Sequence, residues 1–435
     1  MSFALESARR RTHWMATHGL VRAVAPLGAR VGDLQARLIS DPQVRVDPGP
    51  VHREIRARGP VARGRLADVT VDHGVVRDVL RSDDFRTTGS GPQGPKIIDA
   101  IVRRTRSDGL HPLRPPSLLA TEPPSHTTYR RLVSSVFTAR AVTAMRDNVE
   151  QTAHRLLDDL DGETGVVDII DRYCARLPVA VIGDILGVPE DERDLVLHFG
   201  ELAAPSLDLG LSWSEHRRVE DGLTKFVEWL RDHLARLRDT PGDDLMSQLI
   251  AARDEGVALT EEELLATAGL VLAAGFETTV NILGSGIDLL TTHRDQLEIL
   301  TAQRDLWANA ADEMLRLRAP VQMTARSAVR PTEVGGRTLP ADRLILLVLA
   351  GANRDPAVFT DPDRFDVTRE NANKHHSFSG GRHFCLGAAL ARAETEVGLQ
   401  TLFERYPDIV RAGEPVRRNT RVLHGYSSYP VRLHG

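Results

Sequence analysis

Apolar residues recur at helical spacing along most of this chain. Residues 139–160, 219–238 and 388–403 repeat them every three or four positions, with charged residues between, as surface helices packed on a core do. Residues 167–186 show the same period and are closed by Gly187 and Pro189. The most apolar run, 266–290, is preceded by Thr260 and Glu263, the spacing of a capping box, and reads as a long buried helix. Near the start, Leu20, Val24, Leu27, Val31, Leu34 and Leu38 form a helical stripe, with Arg22, Arg30 and Arg37 off it. This predicts a helical N-terminal extension, residues 1–40, whose stripe docks on the body; a membrane-surface helix is the alternative. Alternating segments at 61–71 and 332–349, the latter turning at Gly335 and Gly336, predict a small sheet and a hairpin. A short hairpin is expected around 424–427. Residues 85–116 are rich in Gly, Pro and Arg and show no regular period, and 195–211 is a weak break between helices.

The chain is therefore mainly α with a smaller β region. Its 435 residues contain no linker-like or repeated stretch, so residues 41–435 read as one large domain. With 55 basic and 60 acidic residues the net charge is −5, which argues against a nucleic-acid partner. The longest apolar run, 264–276, is shorter than the roughly 18 residues of a membrane span, and no apolar segment follows the basic cluster at residues 9–11. Two cysteines, Cys174 and Cys385, cannot build a disulfide framework, and a reducing cytoplasm is expected.

Four patterns carry candidate chemistry. Cys385 stands just before the helix predicted over 388–403, where unpaired N–H groups favour a thiolate, the form that ligates a metal. Gly380, Gly381 and Gly387 surround it and admit a flat ligand; Phe378 and Phe384 are placed to shield the sulfur. The bland alternative is an inert buried thiol. In the long helix, Ala273, Ala274 and Gly275 open a gap before Glu277 and Thr278, an acid and a hydroxyl in a helix built for burial. Thr278 can donate back to the carbonyl of Ala274. His126 and Arg130 lie four apart on one helical face, suited to carboxylates or simply solvated. Glu313 and Arg316 can pair at i and i+3.

Phe378, Gly381, Cys385 and Gly387 match, position for position, the haem-binding loop of the cytochrome P450 family, which this chain resembles. Ser379 stands where Gly is usual, and a small change in loop flexibility is expected. Residues 273–279 resemble the family's oxygen-activation motif, with Glu277 for the commoner Asp, and Glu122 to Arg130 resembles its carboxylate-binding helix start. The resemblance implies haem b ligated through Cys385. It also implies propionate donors at His126, Arg130, Arg326 and His383, and haem contacts from Phe378, Gly381, Gly387 and Ala274. Thr278 and Glu277 manage oxygen and protons; Glu313, Arg316 and Arg364 form a structural triad. Leu270, Ala273, Val321 and Gln322 are expected to bound a small hydrophobic substrate, together with the 85–116 and 195–211 regions. The implied activity is an O2-dependent monooxygenase. Its electrons come from a ferredoxin-type iron–sulfur protein with its reductase, docking near Arg131, Arg382 and Arg392. Other haem-thiolate chemistry (peroxide-driven oxidation, dehydration, phenol coupling) and a non-enzymatic helical binding protein are the alternatives.

Overall fold

The computed structural model describes residues 3–90, 96–106, 109–134, 139–252 and 258–434. Its axis is the helix Glu261–Thr292, which is bounded as its capping box requires. The Thr260 hydroxyl accepts from Glu263 N at 3.3 Å, and the Glu263 carboxylate accepts from Thr260 N at 2.8 Å. Leu265, Leu272, Val280, Leu283 and Ile287 bury its sides in the main core. Around it pack the helices Arg176–Ile185, Arg193–Ala203, Trp213–Asp239, Trp307–Leu317 and Ala388–Arg405. One crossing is very close: a Cβ at Gly200 would fall 1.7 Å from the Phe276 ring. By length and composition this is the one helix, among the described residues, able to cross a membrane; two thirds of its apolar window is buried in the protein's own core.

The β region is small. One mixed sheet has the order Ala67–Thr70, Leu344–Leu347, Thr324–Ala328, Phe85–Thr87, parallel in its first pair and antiparallel in the others. The hairpin Thr332–Val334 to Arg337–Leu339 turns on Gly335 and Gly336, both at positive φ. Tyr426–Ser428 pairs with Val416–Arg417, the expected terminal hairpin.

Several expectations change in detail. The start of the 167–186 stretch is not helical: Val167–Asp168 is a strand paired to Pro430–Val431, then a π-turn, Ile170–Cys174, leads into the helix Arg176–Ile185. The 85–116 stretch contains a helix, Lys96–Thr105, while residues 91–95 and 107–108 lie outside the described set. At the N-terminus, Leu34 and Leu38 are buried as expected, but Leu20, Val24, Leu27 and Val31 face outward, so the first half of that stripe does not dock.

The Glu313–Arg316 pair is wholly buried: Arg316 Nε and Nη2 reach the two carboxylate oxygens at 2.6 and 2.9 Å. Its third member is Arg369, not Arg364. Arg369 Nε donates to Glu313 at 3.1 Å, whereas the Arg364 side chain is exposed and only its carbonyl meets the pair, accepting from Arg316 at 3.2 Å. The reason is the turn at Asp361–Arg364, whose carbonyl edge faces inward; the side chain that follows it inside is Arg369. Arg316 also donates to Asn353 O, and Asn353 in turn accepts from His376 N at 2.7 Å and donates to Ser377 Oγ at 2.9 Å. The cysteine loop thus begins on a bonded chain that starts at Glu313. Arg369→Ala should cost about 3–5 kcal/mol, since it strands buried charge, while Arg364→Ala should stay within about 0.5 kcal/mol. Urea unfolding of the two variants checks this.

Candidate functional site

The Cys385 loop is held at both ends. Cys385 N donates to Phe378 O at 3.0 Å, and the loop feeds directly into the helix Ala388–Arg405. Gly381 has φ +63°, and a Cβ there would stand 2.1 Å from Leu80 O, so the protein itself requires this glycine. Around Gly387 the space is open. Ser379 also takes a left-handed φ, +61°, so the residue in glycine's usual place has kept glycine's conformation, at a cost of roughly 1–2 kcal/mol. Burial raises the pKa of the Cys385 thiol, opposed by the Gly387 N–H, Arg130 and Arg392. The helix start therefore does not by itself yield a thiolate; a bound metal would displace the proton. Phe378 is buried, with Arg392 stacked 4.6 Å over its ring, but Phe384 is largely exposed and is no shield.

On the long helix, Thr278 Oγ1 donates to Ala274 O at 2.9 Å and Thr279 Oγ1 to Gly275 O at 3.0 Å. Glu277 is buried and 3.2 Å from Arg418 Nε, yet neither of its oxygens makes a hydrogen bond among the described residues, and the Asn281 amide beside it is equally unpaired there. Burial lifts the Glu277 carboxyl to about 7, despite Arg418. Two partners escaped the sequence reading. Arg418 lies on the terminal hairpin, remote in sequence. Glu394 is wholly buried in the Ala388–Arg405 helix, pushed up to about 8 by burial, and accepts from Thr279 at 3.3 Å. A charged residue in an apolar helical row was the available signal for Glu394.

A second cluster gathers the donors. The His126 and His383 rings stand 4.5 Å apart, and burial, then His383 and Arg130, depress His126 to about 4. Arg326 is buried and lowered to about 10 by that burial. One carboxylate, Glu122, sits among them: Arg382 donates to it at 3.0 Å, and despite burial its pKa is held down near 2 by His383 and the Thr87 N–H. His383 Nε2 is 3.6 Å from Glu122, too far to bond, and has no other hydrogen-bond partner among the described residues. Arg130 lies instead beside Cys385.

The four expected substrate-facing residues fall on two segments of the chain. Leu270 and Ala273 share the long helix, but Gln322 donates its amide to Ala319 O at 2.6 Å and lines a separate cavity of about 20 Å³ with His52 and His424. Val321 pairs with Leu423 and packs on the sheet-side core. Of the arginines expected to receive a redox partner, Arg382 is engaged by Glu122 and Asp83, and Arg392 by Asp312 at 2.7 Å. Arg131 is exposed.

These residues fit a flat, dianionic, metal-centred group. Cys385 is accessible at the end of its loop, and Ala274 is the accessible small residue one turn before Thr278 on the long helix. Arg130 stands beside Cys385, and near Glu122 the buried His383 Nε2 is a ring nitrogen with no hydrogen-bond partner among the described residues, with the buried Arg326 close by. Comparison with known proteins points the same way. A family profile described as cytochrome P450 matches residues 204–423. A Mycobacterium tuberculosis protein named as cytochrome P450 140 is 55% identical over 97% of each chain. The 6-deoxyerythronolide B hydroxylase of Saccharopolyspora erythraea is 41% identical over 72% of this chain and 77% of its own. Among solved structures, ligand-free CYP164A2 of Mycobacterium smegmatis superposes with a TM-score of 0.81 at 33% identity, covering 92% of this chain and 99% of that one. With the cysteine loop, the acid–threonine pair and the buried glutamate–arginine cluster all in place, the chain belongs to the cytochrome P450 family of haem monooxygenases.

Proposed function

We propose that Cys385 ligates haem b and that the enzyme inserts one oxygen atom of O2 into a small hydrophobic substrate. Electrons would come from a ferredoxin-type iron–sulfur protein and its reductase in the cytoplasm. The observation that carries this reading is a loop thiol with Arg130 beside it, a cluster of His126, His383, Arg326 and Arg382 around one carboxylate, and a proton-holding acid on the long buried helix. Bound haem supplies O2 activation, which thiolate ligation promotes by donating electron density.

The chain's own groups do the rest. His126, His383 and Arg326 are placed to hold two carboxylates, and Arg130 adds positive charge next to the sulfur. Thr278 spends its proton on Ala274 O, so its oxygen lone pairs are free to accept from a ligand in the gap. Glu277, with a pKa near neutrality, can hold and release a proton at pH 7. The unpaired oxygens of Glu277 and Asn281, with Arg418 adjacent, suit an acid whose side chain moves between partners. Glu277 and Thr278 favour this reading over peroxide-driven chemistry, which needs no relay. The substrate is expected against Leu270 and Ala273, and the donor on the side of Arg131.

Cys385→Ser should abolish the red-shifted carbon monoxide band and turnover together; retention of the parent spectrum refutes thiolate ligation. Glu277→Gln should lower turnover about 100-fold with substrate binding, read as a spectral shift, unchanged. The same variant has a stability signature. The folded pKa of Glu277, about 7, lies above its ordinary 4.5, so the wild type loses stability as pH rises through that window, on the order of 3 kcal/mol in all. The Tm of Glu277→Gln should therefore gain on the wild type between about pH 5 and pH 8 and level off above.

A further inference from the structure

The helix Leu20–Arg30 is packed with its small residues inward. Ala25 is buried, and a Cβ at Gly28 would stand 2.9 Å from that of Ala36, so this face lies directly on the helix Leu34–Ser40. Its large apolar residues point the other way. Leu20, Val24, Leu27 and, just past its end, Val31 are between 43% and 67% exposed. Their spacing of four, three and four places them in one stripe. A helix that served only to cover the body would bury its largest side chains, because burial of each is worth about 1.5–3 kcal/mol. Here they are left to solvent.

The stripe runs into a basic cleft. Val31 and Gly32 line a cavity of about 450 Å³ together with Arg58, Arg63, Arg65 and Arg343. Arg58 is paired to Glu54 at 2.7 Å and Arg343 to Asp68 at 2.8 Å. The carboxylate of Asp33, also on the cleft wall, is occupied as the cap of Ala36 N at 2.8 Å and accepts from Arg65 N at 3.4 Å. The side chains of Arg63 and Arg65 are exposed and make no ion pair or hydrogen bond among the described residues, and Leu66 beside them is exposed as well. At the other end, Arg22 donates to Gly210 O at 3.1 Å and brings exposed Leu209 next to the helix.

We infer that this face seats the protein on the surface of an anionic phospholipid bilayer. An aliphatic stripe on a helix lying flat, rimmed by arginines, matches the headgroup–acyl boundary, and free guanidinium groups bind lipid phosphates in a forked geometry. The molecule as a whole carries −5, so an anionic surface would repel it unless a local cationic patch fixed its orientation. The inference does not depend on the haem chemistry.

Vesicle flotation of the haem-loaded enzyme tests it. The protein should float with vesicles of phosphatidylglycerol and phosphatidylcholine, not with phosphatidylcholine alone, and rising salt should release it. Val24→Gln/Leu27→Gln should abolish flotation. Arg63→Gln/Arg65→Gln should weaken it about five-fold per arginine. Both variants should keep the parent carbon monoxide spectrum and Tm, since the residues are exposed. Failure of the wild type to float with anionic vesicles, or flotation of Val24→Gln/Leu27→Gln like the wild type, overturns the inference. A wild-type dimer that Val24→Gln/Leu27→Gln dissociates also overturns it, by giving the face to a second copy.

Discussion

A carboxylate with no access to water governs the geometry of this enzyme. Glu313 must be fully matched or it would cost several kcal/mol, and the match is made by two arginines and the N–H of Asp366. Those arginines spend their remaining donors on the carbonyls of Asn353, Thr360, Pro362 and Arg364. Asn353 then fixes His376 and Ser377, the first residues of the cysteine loop. The sulfur's position is therefore set by a network that never touches it. The cluster's value lies in rigidity, because each bond closes a different stretch of chain onto the same buried point.

Two opposite electrostatic problems meet around the cysteine. On one side His126, His383 and Arg326 are crowded into a partly desolvated space with one carboxylate; burial depresses His126 and Arg326, and His383 Nε2 has no hydrogen-bond partner among the described residues. On the other, Glu277 and Glu394 are desolvated acids with few donors, pushed up to about 7 and 8. A bound group with two carboxylates relieves the first. The second leaves acids that carry protons near neutral pH, which oxygen chemistry consumes. Burial drives both effects, and the identity of the neighbours decides which sign results.

Much of this was legible in the order of residues. The capping box at Thr260, the long apolar helix, the Cys385 loop and the back-bonding Thr278 are local patterns, spanning at most a few turns, and local patterns survive folding unchanged. The identity of Arg369 was not legible. Arg364 and Arg369 stand five apart in an irregular segment, and only the direction of the intervening turn decides which side chain goes inward.

What the sequence alone determined, then, was the chemistry on offer: a loop thiol of the kind that can ligate a metal, an acid and a hydroxyl on a buried helix, and cationic side chains of the kind that can bind an anion. Spacing along a helix or a short loop encodes such things directly. Tertiary structure decided who partners whom across long separations: Arg418 with Glu277, Glu394 with Thr279, Glu122 with Arg382. It also decided which face of the Leu20–Arg30 helix meets the protein. Periodicity marks an apolar stripe but cannot say what covers it; here close contact through Gly28 and Ala25 turned the stripe outward.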